Sequence, residues 1–368
     1  MTERPATSRA LVLCAPRMLE LRDISVPAPS PDTALLEVEA CGLCGTDHEL
    51  FTGALPLPTP LVPGHETVGT LLEVGEAAAE AWGVSVGDRV AVECFQSCRT
   101  CDPCLSGAYR RCTTNGLRTA YGLSPLDVGP ELSGGWAVHH ALGPDSMVLP
   151  IPDGLDPVDA TLFNPVGAGI RWGAELPSTG PGDVVAVLGP GIRGLAAAAA
   201  AREAGADFVL VTGKGPNDRS RLEAAAAFGA DITVDVDEED PAVALRAATG
   251  GPGASVVVDV TANAPEALGQ AVRMSAPEAR IVLAGTRNST KTPGFDPDHI
   301  VFKELHLLGA LGVDAPAYLA ALDLLATDRY PFRSVARRVE PLEGAADLLA
   351  TMAGEGAAPP PIHAVLVP

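Results

Sequence analysis

The sequence predicts an α/β protein of two domains: a mostly β N-terminal domain, then a doubly wound parallel sheet. Three observations lead there. From Asp183 to Gly309 six strand-like runs alternate with helical stretches, the signature of a parallel sheet covered by helices. The first run passes through Gly189, Gly191 and Gly194, a G-x-G-x-x-G turn, into an alanine-rich helical stretch. Before residue 155 the pattern is different. Short strands are broken by prolines, and all eight cysteines fall there.

Length and charge set the bounds. At 368 residues the chain suits two cores rather than one. It carries 46 acidic against 25 basic residues, a net charge of −21. That excludes nucleic acid and anionic membranes as expected partners, since both need a basic surface. The opening residues, MTERPATSRALVLC, lack the apolar core of a signal peptide. The most apolar helical piece, Gly194 to Ala201, is too short to span a bilayer. The expected location is cytoplasmic. In that compartment clustered cysteines point to metal rather than disulfides.

In order, residues 9–40 read as short strands, and ALLEVEAC (34–41) alternates apolar and acidic side chains. The stretch 41–66, CGLCGTDHELFTGALPLPTPLVPGHE, organises the rest. Its prolines and glycines rule out one helix or a central strand. It reads as a loop carrying functional groups, with a short helix from Gly45 to Phe51. Strands follow at 67–75 and 88–94, and β character returns at 136–149. Residues 153–176 have helical spacing, which sets a first boundary near 155. Strands are then expected at 183–189, 207–212, 232–236, 254–260, 279–284 and 305–309. Helices at 315–326 and 342–352 and a strand IHAVLV complete the chain. The expected domains are 1–155 and 156–309, with 310–368 rejoining the first.

Four features carry chemistry. Cys44 and His65 pair a thiolate with an imidazole, ligand types of a catalytic zinc. Cys98, Cys101, Cys104 and Cys112 are separated by two, two and seven residues. Four thiolates close a tetrahedral zinc shell with no open position, so the role is structural; an iron–sulfur cluster or free thiols are the alternatives. Gly189, Gly191 and Gly194 permit the tight turn, the approach of a pyrophosphate and close helix–strand packing. The helix start then offers free N–H groups to phosphate. Gly213 stands at the end of the second strand, where an acid would bind the ribose of NAD. Lys214, Arg219 and Arg221 follow. This leans toward NADP; the alternative is that the basic residues only cover a solvated helix face.

The motifs CGTDHE (44–49), GHETVG (64–69) with Gly75, GDRV (87–90), the four-cysteine lobe and GPGIRG (189–194) together resemble the zinc-containing medium-chain alcohol and polyol dehydrogenases. The glucose and polyol branch is nearest. The resemblance implies a GroES-like catalytic domain, a Rossmann domain, an active site in the cleft between them and a homodimer or homotetramer. It implies that Cys44 and His65 hold catalytic zinc, with Glu66 a close acid or exchangeable ligand. Thr46 would bond the substrate oxygen and pass its proton outward, His48 would continue that relay, and Asp47 would support the zinc site. Gly189, Gly191, Ile192, Arg193 and Gly194 would hold the cofactor with Gly213, Lys214 and Arg219. Cys98, Cys101, Cys104 and Cys112 would form the structural zinc lobe.

One departure stands out. The polyol branch has a glutamate before a proline as third zinc ligand, and here that position is Asn164 in LFNPVGAG. An amide oxygen is a poorer donor than a carboxylate. Asn164 binds weakly, Glu66 takes the third place, or occupancy is low; locally, Asn164 also reads as a helix cap before Pro165. The implied reaction is reversible oxidation of a secondary alcohol or polyol by NAD(P), with NADP slightly favoured. The alternatives are an elimination or isomerisation using bound NAD(P), and a non-catalytic nucleotide-binding protein. Cys14, Cys41, Cys94, Trp136, Trp172 and the remaining histidines, His363 among them, read as structural. Substrate choice is expected in loops 50–60, 115–135 and 285–300.

Overall fold

A computed structural model describes residues 4–287, 290, 292–293, 295–355 and 359–368. Part of the 285–300 loop, at 288, 289, 291 and 294, lies outside the described residues. The chain divides into two compact units. One is Met1–Asn164, Asp314–Asp328 and Phe332–Pro368; the other is Pro165–Val313 and Arg329–Pro331.

The first unit opens with β1 (Thr7–Ala15), β2 (Met18–Ser25), β3 (Ala34–Leu43), β4 (Glu66–Val74), β5 (Arg89–Val92), β6 (His139–Leu142) and β7 (Val148–Pro150). The second contains β8 (Val184–Leu188), β9 (Phe208–Gly213), β10 (Ile232–Asp235), β11 (Ala254–Asp259), β12 (Ser275–Leu283) and β13 (His306–Gly309). The chain then returns to the first unit with β14 (Arg337–Pro341) and β15 (His363–Val367).

In the first unit β1 and β2 form a hairpin, and a larger sheet runs β14-β15-β3-β4-β5-β7 with β6 also on β3. β3 is its centre. Its acids, Glu37 and Glu39, keep some exposure while the apolar positions are buried, as the alternation predicts. Arg89 of β5 pairs with Glu39 at 2.9 Å. One core gathers β1, Leu61, Trp136 and the helix Ala345–Met352. A second lies around Leu36, Leu71, Val90, Tyr121 and Leu142.

β3 runs past Cys41 to Leu43 because β15 pairs with it there: Val365 stands opposite Gly42 and Ala364 opposite Leu43. The first residues of the expected functional loop are therefore strand. This is the contact by which the tail, more than 300 residues on, completes the first unit.

The second unit is a six-stranded parallel sheet of order β10-β9-β8-β11-β12-β13, the doubly wound arrangement expected of alternating strands and helices. Its strands are short apolar runs such as VVAVL and ASVVVD. β12 begins at Ser275, before its apolar core, because Ser275 pairs with Ala254. The helical region after residue 153 is broken into Pro157–Ala160, Phe163–Ile170 and a π-helical turn, Arg171–Glu175. A Cβ on Gly169 would lie 2.4 Å from Ala196. Only glycine lets that helix approach the Ile192–Glu203 helix so closely. Among the described residues no helix is long and apolar enough to cross a membrane.

Candidate catalytic centre and cysteine lobe

Two strand ends bring the first group together. β3 stops at Leu43, and Cys44 caps the helix Gly45–Thr52. His65 and Glu66 stand at the start of β4, opposite that end. Cys44 Sγ lies 3.2 Å from His65 Nε2. With the Glu66 carboxylate, these ligand atoms lie within 4.8 Å of one another, and all three residues are buried. A tetrahedral zinc with ordinary Zn–S and Zn–N bonds separates S and N by about 3.6 Å. The donor set and its spacing fit that ion.

Asp47 stands behind this group, fully buried. Its Oδ2 accepts the Cys44 backbone N–H at 2.9 Å. Its Oδ1 lies 3.5 Å from His65 Nδ1. Burial opposes a charged His65 ring, but the Asp47 carboxylate and Cys44 thiolate outweigh it and hold its pKa well above the usual value. A carboxylate on one ring nitrogen and a ligand position at the other is how metal-binding histidines are oriented.

Thr46 is half-buried in the first turn of the same helix. His48 Nε2 meets Glu355 Oε1 at 3.1 Å, and Glu355 also pairs with Arg17 at 3.5 Å. Asn164 lies inside the helix Phe163–Ile170 rather than before it, so the helix-cap reading does not hold. Its amide Nδ2 donates to the Tyr318 hydroxyl at 3.0 Å, and the Phe163 ring meets Tyr318 edge-on.

The four cysteines of the lobe also converge. Cys98 and Cys104 sulfurs lie 3.8 Å apart, and those of Cys101 and Cys112 3.9 Å. A zinc tetrahedron with bonds of about 2.3 Å has edges of about 3.8 Å. The site fits zinc, and the spacing is far beyond a disulfide, about 2.05 Å. Backbone N–H groups of Cys101 and Asn115 point at the Cys98 and Cys112 sulfurs, each at 3.4 Å. Hydrogen bonds from the Thr100 hydroxyl and neighbouring backbone pull the Cys98 thiol down to about 5.

The sequence did not foretell how the lobe is fastened. Tyr109, within it, donates to buried Glu93 Oε2 at 2.6 Å, and the Phe95 N–H donates to Glu93 Oε1 at 3.0 Å. Burial pushes the Glu93 carboxyl up to about 7.

In the second unit Gly189 has φ 102° and turns β8 toward the helix Ile192–Glu203. A Cβ on Gly194 would lie 1.8 Å from the Gly189 carbonyl. Gly191 is the helix N-cap, so the N–H groups of Ile192, Arg193 and Gly194 belong to its open first turn. At the end of β9, a Cβ on Gly213 would meet Pro190, Asp218 and Leu222 within about 3 Å. Asp218 accepts the Lys214 N–H at 3.0 Å and pairs with Arg221 at 3.0 Å. Lys214 Nζ lies 3.9 Å from Asp237. Asp259, buried at the end of β11, pairs with Arg287 and accepts from Thr261. Asp218 and the Asp259–Arg287 pair carried no sequence signal, because loop geometry brings their partners together.

Comparison with known proteins identifies the family of the chain. Residues 30–153 match the family model of the alcohol dehydrogenase GroES-like domain, and 194–327 that of the zinc-binding dehydrogenases. The chain is 60% identical, over 99% of each sequence, to a probable alcohol dehydrogenase of Mycobacterium tuberculosis. An alcohol dehydrogenase from Thermus sp. ATN1 is 29% identical with a TM-score of 0.82, covering 98% of this chain and 99% of that one. A protein from Sinorhizobium meliloti 1021, assigned as a zinc-binding dehydrogenase and bound to NADP, is 27% identical with a TM-score of 0.81, covering 99% and 100%.

Proposed function

We propose, on the premise that this chain belongs to the zinc-binding alcohol dehydrogenase family, that it interconverts a secondary alcohol or polyol and its carbonyl compound with NAD(P). The observation that carries the reading is the buried meeting of the Cys44, His65 and Glu66 ligand atoms within 4.8 Å. Cys44 and His65 would hold catalytic zinc, with Glu66 as third donor ahead of Asn164, because its carboxylate lies within that group and a carboxylate is the stronger donor. Cys98, Cys101, Cys104 and Cys112 would hold structural zinc. Zinc in the first site supplies Lewis-acid polarisation of a substrate oxygen.

The chain's own groups do the rest. Asp47 fixes the His65 ring so that Nε2 presents its lone pair beside Cys44. The Thr46 hydroxyl takes the proton of the substrate alcohol and hands it outward. His48, partly exposed and bonded to Glu355, is the outer station of that path. Burial of Cys44, His65 and Glu66 keeps water from competing for the site.

In the second unit the N–H groups of Ile192, Arg193 and Gly194 bind the pyrophosphate. Bound nicotinamide supplies the hydride acceptor. NADP is favoured by a small margin. Packing at Gly213 excludes an acidic side chain there, and Lys214 and Arg219 offer positive charge. Asp218 and Asp237 already pair Arg221 and Lys214, which keeps the margin small. Cysteines clustered as a metal site suit a cytoplasmic enzyme, and we place it there as a homodimer or homotetramer.

The test is turnover of a panel of secondary alcohols and polyols with NADP and with NAD, together with zinc per chain by elemental analysis. The expected outcome is two zincs per chain and faster reduction of NADP. Cys44→Ser should remove one zinc and abolish turnover. One zinc per chain in the unaltered protein, with no turnover of any alcohol, would refute the reading.

A further inference from the structure

Behind Glu66 lies a line of polar groups that no sequence spacing connects. Asp159 pairs with Arg337 Nη2 at 2.6 Å. Arg337 Nε donates to His363 Nδ1 at 3.1 Å. His363 Nε2 lies 3.0 Å from Thr161 Oγ1, and that hydroxyl donates to the Val158 carbonyl at 2.7 Å. The directions are forced. A guanidinium only donates, so His363 Nδ1 accepts and carries no proton. The ring is neutral, because burial and the Arg337 charge hold it down to about 3. Its one proton is on Nε2 and goes to Thr161, whose own proton is already committed to Val158. His363 and the Thr161 hydroxyl are each held in one orientation.

Thr161 and Glu66 both face Gly42. Gly42 of β3 stands opposite Glu66 on one side and Val365 of β15 on the other. A Cβ on Gly42 would sit 2.4 Å from Glu66 Oε2 and 3.3 Å from Thr161 Cβ. The Glu66 carboxylate and Thr161 therefore share the space that this glycine leaves bare. A carboxylate on a two-carbon stem has several rotamers to lose on binding, and a fixed wall removes some of them beforehand.

The geometry points to Thr161, His363 and Arg337 as positioning residues that hold the Glu66 carboxylate toward Cys44 and His65, and so set how tightly that group retains zinc. The inference rests on the proposed role of Glu66 as third donor. None of these three residues touches the reacting atoms; each acts through the next.

Release of zinc from the whole protein to a chromogenic chelator tests this, with the four-cysteine lobe as internal control. Thr161→Val keeps the side-chain shape and removes the hydroxyl, whereas Thr161→Ser keeps the hydroxyl. Thr161→Val should release one zinc roughly 10–100-fold faster, the usual effect of losing a group that orients a ligand. The lobe's zinc, and both zincs of Thr161→Ser, should leave at the wild-type rate. If Thr161→Val does not fold, Arg337→Met, at the other end of the line, should give the same selective loss. Wild-type release in Thr161→Val and Arg337→Met alongside faster release in Glu66→Gln would overturn the positioning role and leave Glu66 as a donor. Unchanged release in Glu66→Gln would overturn the donor role itself, and this inference with it. Equal acceleration at both sites in Thr161→Val would mean general loosening and would also overturn it.

Discussion

His140 should make the first unit sensitive to acid, and replacing it should remove that sensitivity. The residue lies on β6 with no exposure. Its ring meets Tyr121 edge-on, 4.6 Å between centroids, and neither ring nitrogen has a hydrogen-bond partner among the described residues. Burial alone pushes its pKa down to about 3. An unfolded histidine titrates near 6.5. The folded-state value is the lower one. Below about pH 6.5 the unfolded chain takes up a proton that the folded chain refuses, so stability falls as the pH drops toward 3. At about 1.36 kcal/mol per pH unit, the fall from pH 6.5 to pH 5 is about 2 kcal/mol.

His140→Leu removes both the titration and two unpaired nitrogens. At pH 7.5 the gain from deleting unpaired buried polar atoms, about 1–3 kcal/mol, is offset by the lost contact with Tyr121, about 0.5–1.5 kcal/mol. The net should be about 1 kcal/mol in favour of the variant. At pH 5 the advantage should grow by about 2 kcal/mol. Urea unfolding at pH 7.5, 6 and 5, followed by tryptophan fluorescence, reads both numbers. The other buried histidines with lowered pKa values, His139 and His363, titrate alike in both proteins and cancel in the difference. A constant difference from pH 7.5 to pH 5 would show that His140 does not refuse the proton, and the reasoning would fail.

Three further outcomes follow from the geometry. Glu93 has a raised carboxyl, about 7, so its burial costs stability as the pH rises from about 4.5 through 7; Glu93→Gln should recover on the order of 3 kcal/mol at pH 8 and nothing at pH 4, read by urea midpoints. Cys101→Ser should drop elemental zinc from two to one per chain and lower the thermal midpoint of the first unit, because three sulfurs leave the lobe's shell open. Asp218→Asn should free the Arg221 guanidinium from a competing carboxylate and raise the NADP-to-NAD ratio of kcat/KM about fivefold, the effect of ~1 kcal/mol from a partly exposed charge; an unchanged ratio would place the 2′-phosphate elsewhere.

What could be read in the sequence was local. The strands of the second unit are apolar runs bounded by polar residues and helices, so the alternation is visible without contacts. The cysteines of the lobe lie within fifteen residues, and tight turns alone bring them together. Cys44 and His65 are also near in sequence, and the strand ends that carry them face one another because β3 pairs with β4. The Asn164 environment was not readable, because Tyr318 is 154 residues away. Thr161 and His363 are 202 residues apart. Neither periodicity nor spacing encodes a hydrogen bond of that span. His140 was equally opaque: two adjacent histidines look alike in sequence, yet His139 bonds Ser8 while the His140 nitrogens have no hydrogen-bond partner among the described residues.

The Thr161–His363 contact lies beside the end of β3. With β4 alone, β3 would leave an open edge at Gly42 and Leu43, and an unpaired edge is unstable and prone to pair wrongly. β15 covers it, and in doing so fixes His363 next to Thr161. The register is strict, since a one-residue slip would turn His363 to the opposite face. Truncating the chain before β15 should therefore do more than lower stability. It should remove the wall against which Glu66 stands, and weaken the Cys44–His65–Glu66 group while leaving the four-cysteine lobe, whose four ligands lie within residues 98–112, able to hold its metal.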